Sequence, residues 1–273
     1  MPAILLYAAA SLLYAILAFY FWRTHWRGAS APRLARLERV ATLAPFALHT
    51  WLVYDMLWAR PELHFGFGQA LSVMLWLAVL IYWIESRFLE LEGMQAPILA
   101  LAAVCAPLPA LFPGLAGAPY THSTEFRLHL VLAMVAYGMF TIAALHALLM
   151  TLMERRLHGG ALAGPLAALP PLLTMERLLF QIILVGFVFL TLTLATGIAF
   201  SETLFGRAMK FDHKTVFAVA SWLIFAALLA GRYLYGWRGR VALRWTLVGF
   251  VALLLAYVGS RFVLEVILRR GLV

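Results

Sequence analysis

The chain has 273 residues, 64% of them hydrophobic and only 12% charged, and its mean hydropathy of +0.92 excludes a soluble protein, where charged residues make up about 25%. The formal charge of +9 is not a nucleic-acid signature, because nearly all the Arg residues lie in short segments between apolar runs, where they orient membrane helices. The single Cys105 excludes a disulfide framework, a Cys-x-x-Cys metal site and a Cys-x-x-Cys-His attachment for covalent haem.

The first predicted span, about 2–22, has no basic stretch before it and is followed by Arg23 and Arg27. It reads as a retained helix with its N-terminus outside. The next stretch carries Arg23, Arg27, Arg33, Arg36 and Arg39 and is assigned to the inner side. Span 2, about 40–58, holds His49 mid-helix and ends in the outer aromatic belt of Trp51, Tyr54 and Trp58. Span 3, about 69–84, leads to an inner turn. Span 4, about 97–112, is interrupted by Pro107 and Pro109 and bracketed by Pro97 and Pro113, which predicts a kinked or partly re-entrant segment.

An outer loop with His122, Glu125 and Arg127 opens span 5, about 128–151, which begins at His129 and has His146 near its far end. Span 6, about 178–200, leads to an outer loop with Glu202, Arg207, Lys210 and His213. Spans 7 and 8, about 214–232 and 245–268, flank the inner Arg238, Arg240 and Arg244. The inner segments carry most of the Lys and Arg, as the positive-inside rule requires. The expected fold is therefore all-α: one polytopic membrane domain of eight transmembrane helices with both termini on the outer side.

Spans 5 and 7 run in the same direction, so His129 and His213 are expected at one depth near the outer boundary. The face below His129 carries Ala133, Ala136 and Phe140, and the face below His213 carries Phe217, Ala220 and Ile224. Small residues beside an imidazole leave a slot and large apolar ones wall it. Two neutral imidazoles at one depth suit axial ligation of one haem iron. Arg127, Lys214 and Arg261 at the rim would pair with propionates. The competing reading makes both histidines interfacial residues that snorkel with charged neighbours.

His49 lies about nine residues, ~13 Å, from the inner surface, where an ionisable group is a functional hypothesis or a neutral hydrogen-bonded imidazole. His49 and His146 would form a second, inner metal site only if helix tilt closes the gap between them. His25, His122 and His158 read as solvated loop residues, with His122 also a rival to His129 as the ligand. Arg261 and Glu265 are spaced to pair with each other, and Thr191, Thr193 and Thr196 to bond back to their own helix. No Ser/His/Asp triad, phosphate loop or His-Glu-x-x-His occurs, so hydrolytic and nucleotide chemistry have no support.

The segment Leu128-His129-Leu130 through Ala136-Tyr137-Gly138 resembles the His-bearing helix of the CcsA/CcmC cytochrome c assembly superfamily. Phe211-Asp212-His213-Lys214-Thr215, with Ser221-Trp222 and Tyr257-Val258-Gly259, resembles its tryptophan-rich segment and the two helices after it. Over the whole chain, Leu169-Pro170-Pro171-Leu172-Leu173, His213-Lys214-Thr215 and Gly259-Ser260-Arg261-Phe262-Val263 resemble the YpjD/HemX-like inner-membrane branch. Three departures stand out. The stretch before Asp212 has no Trp, His213 stands where the superfamily has Pro, and the second outer-face His that follows the tryptophan segment in CcsA has no counterpart here.

The resemblance implies that His129 faces haem, with Tyr137 on the same helix; His213 as the second ligand rests on depth and helix order. The expected role is handling of non-covalent b-type haem in cytochrome c assembly or haem homeostasis, in the bacterial inner membrane. Partners would be the bilayer, haem, and other assembly proteins or an apocytochrome, with no nucleic acid. Two axial His favour carrying haem or electrons over catalysis. The alternatives are a transmembrane b-type electron carrier and a haem-free transporter or accessory protein.

Overall fold

The structure is a computed structural model that describes residues 2–26, 35–59, 63–88, 91–114, 123–158, 171–205 and 212–268. His122, Arg207, Lys210 and the Leu169-Pro170 pair lie outside these residues, as do the side chains of His158 and Glu202. The described residues are helical nearly throughout: α1 (Pro2–Phe21), α2 (Ala35–Ala41), α3 (Leu43–Tyr54), α4 (Phe67–Glu85), α5 (Gln95–Cys105), α6 (Leu108–Leu111), α7 (Thr124–His158), α8 (Leu172–Phe205), α9 (His213–Tyr235), α10 (Gly239–Leu254) and α11 (Ser260–Phe262). Seven helices among them are long and apolar enough to cross a membrane.

The eighth predicted span is the short apolar pair α5–α6, Gln95–Leu111. Pro97 falls in the first turn of α5, where its missing N–H is harmless, whereas Pro107 ends that helix and Pro109 opens α6. The break is the kink expected from the prolines. The segment packs along α1 and α4. Ser11 Oγ donates to the Ala103 carbonyl at 2.7 Å, and Gln69 Nε2 at the start of α4 donates to the Phe112 carbonyl at 3.0 Å.

α7 is the central helix, packed against α4, α8 and α10. Its seam with α4 is closed by Gly138, where a Cβ would stand 2.6 Å from Leu77 Cβ. Without a strong hydrophobic drive between membrane helices, such close backbone approach supplies much of the association energy. Midway along the bundle Phe140 of α7 stacks on Phe225 of α9, centroids 3.9 Å apart and planes 19° apart.

The helix ends follow local chemistry. Asp212 caps α9 by accepting from the Thr215 backbone N–H at 3.0 Å. Gly236, at φ 65°, closes the same helix in the left-handed conformation that favours glycine. π-Helical turns at Trp22–Trp26, Asp55–Ala59, Leu255–Gly259 and Val263–Ile267 have no counterpart in the sequence reading, nor does the start of α10 six residues before its predicted limit. α7 and α8 likewise run past their predicted limits on both sides.

Two pairings differ from expectation. His25 lies not in a solvated loop but beside Glu38, Nε2 to Oε2 3.8 Å. Arg261 and Glu265 are near enough for their charges to attract but make no salt bridge. The Glu265 carboxylate sits over Gly66 and accepts from the Phe67 N–H at the start of α4, where the unsatisfied amides and the helix dipole favour an anion. The Arg261 guanidinium lies 5.7 Å from the Tyr257 ring.

Candidate functional site

His129 is held by α8. Its Nδ1 is 3.0 Å from Thr196 Oγ1, and the Thr193 carbonyl lies within hydrogen-bond reach of the ring. Thr196 Oγ1 also lies 2.8 Å from the Leu192 carbonyl; with its hydrogen on that carbonyl, Oγ1 accepts and His129 Nδ1 donates, the tautomer in which Nε2 keeps its lone pair. Ring contact with α8 is close: a Cβ on Gly197 would lie 3.3 Å from His129 Cε1.

The Phe140–Phe225 layer gives a depth gauge. Eleven residues separate Phe140 from His129 and twelve separate Phe225 from His213, about 16 Å and 18 Å of helix rise. The two histidines therefore stand at nearly the same level. On α7, His129, Ala133, Ala136 and Phe140 fall on one stripe, the stripe that meets α9 at Phe225.

On α9 the packed stripe is Lys214, Ser221, Phe225 and Leu228. Ser221 Oγ donates to the Gly249 carbonyl at 3.0 Å, and Phe225 and Leu228 are fully buried. His213 is turned about 120° from Phe225 by helix geometry, and its side chain is exposed. The residue presented toward the His129 stripe is Lys214, which is half-buried. Arg261 is close enough to Lys214 for the two cations to repel, and its buried Nε has no hydrogen-bond partner among the described residues. Arg127 is exposed.

Other expected site residues are already engaged. Ala133 and Ala136 are buried, so at their level α7 is packed and not open. Phe217 is half-buried. Tyr137 donates its hydroxyl to the Leu253 carbonyl at 2.7 Å, tying α7 to α10 just before the π-helical turn at Leu255. His49 is fully buried between Tyr14 Oη (3.4 Å) and Ser72 Oγ (2.9 Å), the neutral hydrogen-bonded imidazole of the sequence alternatives. His146 meets Glu85 at 3.7 Å. Ser72 and Glu85 stand thirteen residues apart on α4, roughly 20 Å, so the structure does not bring His49 and His146 together. Tilt does not close that gap.

Three residues that sequence reasoning did not assign belong to this region. Thr193 and Thr196 were legible as back-bonding residues, and Gly197 carried no separate signal. A count of depth along α8 antiparallel to α7 would have placed all three opposite His129.

Asp212, outside the spans, has a carboxyl below its ordinary range. Partial burial pushes it up, and the Thr215 amide and hydroxyl together with Lys214 and His213 outweigh that.

A family model described as cytochrome C assembly protein matches residues 40–268. The inner membrane protein YpjD of Escherichia coli (strain K12) is 39% identical over 139 residues, 51% of this chain and 52% of that protein; the chain thus spans about half the length of these curated relatives. An uncharacterized 28.8 kDa protein of Azospirillum brasilense is 29% identical over 225 residues, 77% of this chain and 81% of that protein. The cytochrome c biogenesis protein CcsA of Prochlorococcus marinus (strain MIT 9515) is 39% identical over 88 residues, 32% of this chain and 28% of that protein. With the family model covering most of its length, this multi-pass membrane protein belongs to the cytochrome c assembly family.

Proposed function

We propose that the chain binds one non-covalent b-type haem near the outer face, between α7 and α9, and handles it in cytochrome c assembly or haem homeostasis. The observation that carries this reading is the His129 ring held by α8, Nδ1 3.0 Å from Thr196 Oγ1. A ring whose Nδ1–H is donated to α8 and whose Nε2 keeps its lone pair is prepared as an iron ligand. The unpartnered Arg261 Nε and the half-buried Lys214 fit a pair of propionates. Because Ala133 and Ala136 are packed, the macrocycle's place is above them, at the level of His129, where side chains are partly open.

His213 is proposed as the second axial ligand. It stands at the right depth, on the first residue of α9, and reaches iron only if that first turn rotates toward α7. Bound iron would supply a redox-active centre; the chain's own contribution is to orient one imidazole, present cations at the rim and tie the helices with Tyr137. The proposal includes eight crossings of a bacterial inner membrane with both termini outside. Its support is that the apolar α5–α6 segment packs along α1 and α4 and that the basic residues concentrate in alternate segments of the sequence. Other assembly proteins or an apocytochrome would be the partners.

The test is the visible spectrum of detergent-purified protein, oxidised and dithionite-reduced. A sharp reduced α-band that His129→Ala abolishes supports the site. If His213→Ala converts the spectrum to high spin, it is the second ligand; an unchanged band moves that ligand elsewhere. A wild type that stays colourless after haem is added sinks the reading.

A further inference from the structure

A second buried pair lies at the end of the bundle opposite His129, independent of the haem reading. Glu85 is the last residue of α4, and His146 faces it from α7 with Nε2 3.7 Å from Oε2; the His146 side chain is fully enclosed. Its Nδ1–H is donated to the Ile142 carbonyl at 3.0 Å, so the nitrogen toward Glu85 carries the lone pair. Neither His146 Nε2 nor Glu85 Oε2 has a hydrogen-bond partner among the described residues. Two acceptors facing each other in dry protein are costly as they stand, and one proton between them removes the conflict.

We infer that Glu85 and His146 share a single proton, with the Glu85 carboxylic acid donating to His146 Nε2, and form a proton-binding site at the inner end of α4 and α7. A closure of roughly 0.9 Å brings the two atoms to the length of a made hydrogen bond. The ionised arrangement, imidazolium against carboxylate, requires two buried charges with no third charged side chain within ion-pair distance among the described residues.

Arg87, two residues after Glu85, lies over the Trp83 ring at 4.2 Å, and charged groups on α7, α8, α9 and α10 pair with one another. Glu176 of α8 binds Arg232 of α9 at 2.7 Å, and Glu154 of α7 faces Arg240 of α10 at 3.5 Å. No Lys or Arg nitrogen lies within ion-pair distance of Glu85 among the described residues. The turn packed on α7, Glu92–Met94, precedes the uncharged Gln95, whose Oε1 also lacks a partner; the Glu92 side chain lies outside the described residues. Losing the shared proton leaves a buried carboxylate against a lone pair, and gaining a second leaves a buried imidazolium. The α4–α7 seam therefore weakens at both pH extremes, with the way in where α4 ends and the Ser86–Phe88 turn begins.

Infrared difference spectroscopy on the detergent-solubilised full chain tests this at neutral pH. The expected result is a protonated-carboxyl C=O band, shifted in D2O, that Glu85→Gln removes and His146→Phe displaces. Glu85→Gln retains a donor toward Nε2 and should melt within a few degrees of wild type, whereas Glu85→Ala should melt well below it. Absence of a carboxyl band assignable to Glu85 overturns the inference. So does a Glu85→Gln protein as destabilised as Glu85→Ala. If Glu85→Gln does not fold, the His146→Phe displacement decides: a band that does not move overturns it.

Discussion

Replacing Thr196 by Val tests the anchored imidazole directly. The two side chains have nearly the same volume, and the lost hydroxyl had bonded only to its own helix at Leu192 and Thr193 and to His129 Nδ1 at 3.0 Å. Removing an outer partner of a metal-ligating His weakens metal binding by about 10- to 100-fold. The Thr193 carbonyl remains as a second acceptor near the ring, so the loss should fall at the low end, about tenfold or ~1.4 kcal/mol. Haem titration into the apoprotein, followed by absorption, measures it, with thermal unfolding of both apoproteins run alongside. Thr191→Val is the control. That hydroxyl also bonds back to its own helix but accepts from Trp222 Nε1 at 2.9 Å, away from His129, and haem affinity should not change. Equal affinity in Thr196→Val and wild type would refute the tautomer argument, and so would equal weakening by the two variants.

Gly138→Ala places a Cβ 2.6 Å from Leu77 Cβ, an atom that no rotamer change can move. Overpacking of about 1–3 kcal/mol, offset by up to ~1 kcal/mol of helix propensity, should leave a net loss of roughly 1–2 kcal/mol in detergent unfolding. A variant as stable as wild type would mean that α4 and α7 part freely. Tyr137→Phe leaves the buried Leu253 carbonyl without its 2.7 Å donor and should lower stability by about 1–3 kcal/mol while haem affinity is unchanged; a large affinity loss would place that hydroxyl at the cofactor instead. Asp212→Ala removes the α9 cap and should cost about 1 kcal/mol, with Asp212→Asn close to wild type. The folded-state carboxyl titrates below its ordinary range, so its contribution is present above the unfolded value and fades as pH falls through the folded one. The wild-type advantage over Asp212→Ala should therefore hold at neutral pH and close below about pH 4. A gap independent of pH would rule out the ionised cap.

What was legible in the sequence is what one helix decides alone. Apolar length marked the spans, Pro107 and Pro109 marked the break between α5 and α6, and helix direction put His129 and His213 at one depth. Azimuth was not legible, and α9 shows why. The stripe through Phe217, Ala220 and Ile224 and the stripe through Ser221, Phe225 and Leu228 are both apolar, because a membrane helix meets lipid on one side and protein on the other with similar residues. The hydrophobic pattern that reveals the buried side of a soluble helix is silent here. The polar partners carry that information, and they are distant in sequence. Ser221 finds Gly249, Phe225 finds Phe140, and together they turn Lys214 inward and His213 outward. The same holds for His49, whose partners Tyr14 and Ser72 belong to two other helices, and for Glu85, which reads as an ordinary helix-terminal carboxylate until His146 is set against it. In a chain this apolar, the residues that fix rotation are its few hydrogen-bonding side chains. The orientation of His213 is accordingly the point on which the haem proposal turns: its ligation demands a turn of α9 that the Ser221 and Phe225 contacts oppose, whereas the His129 ring is already held by α8.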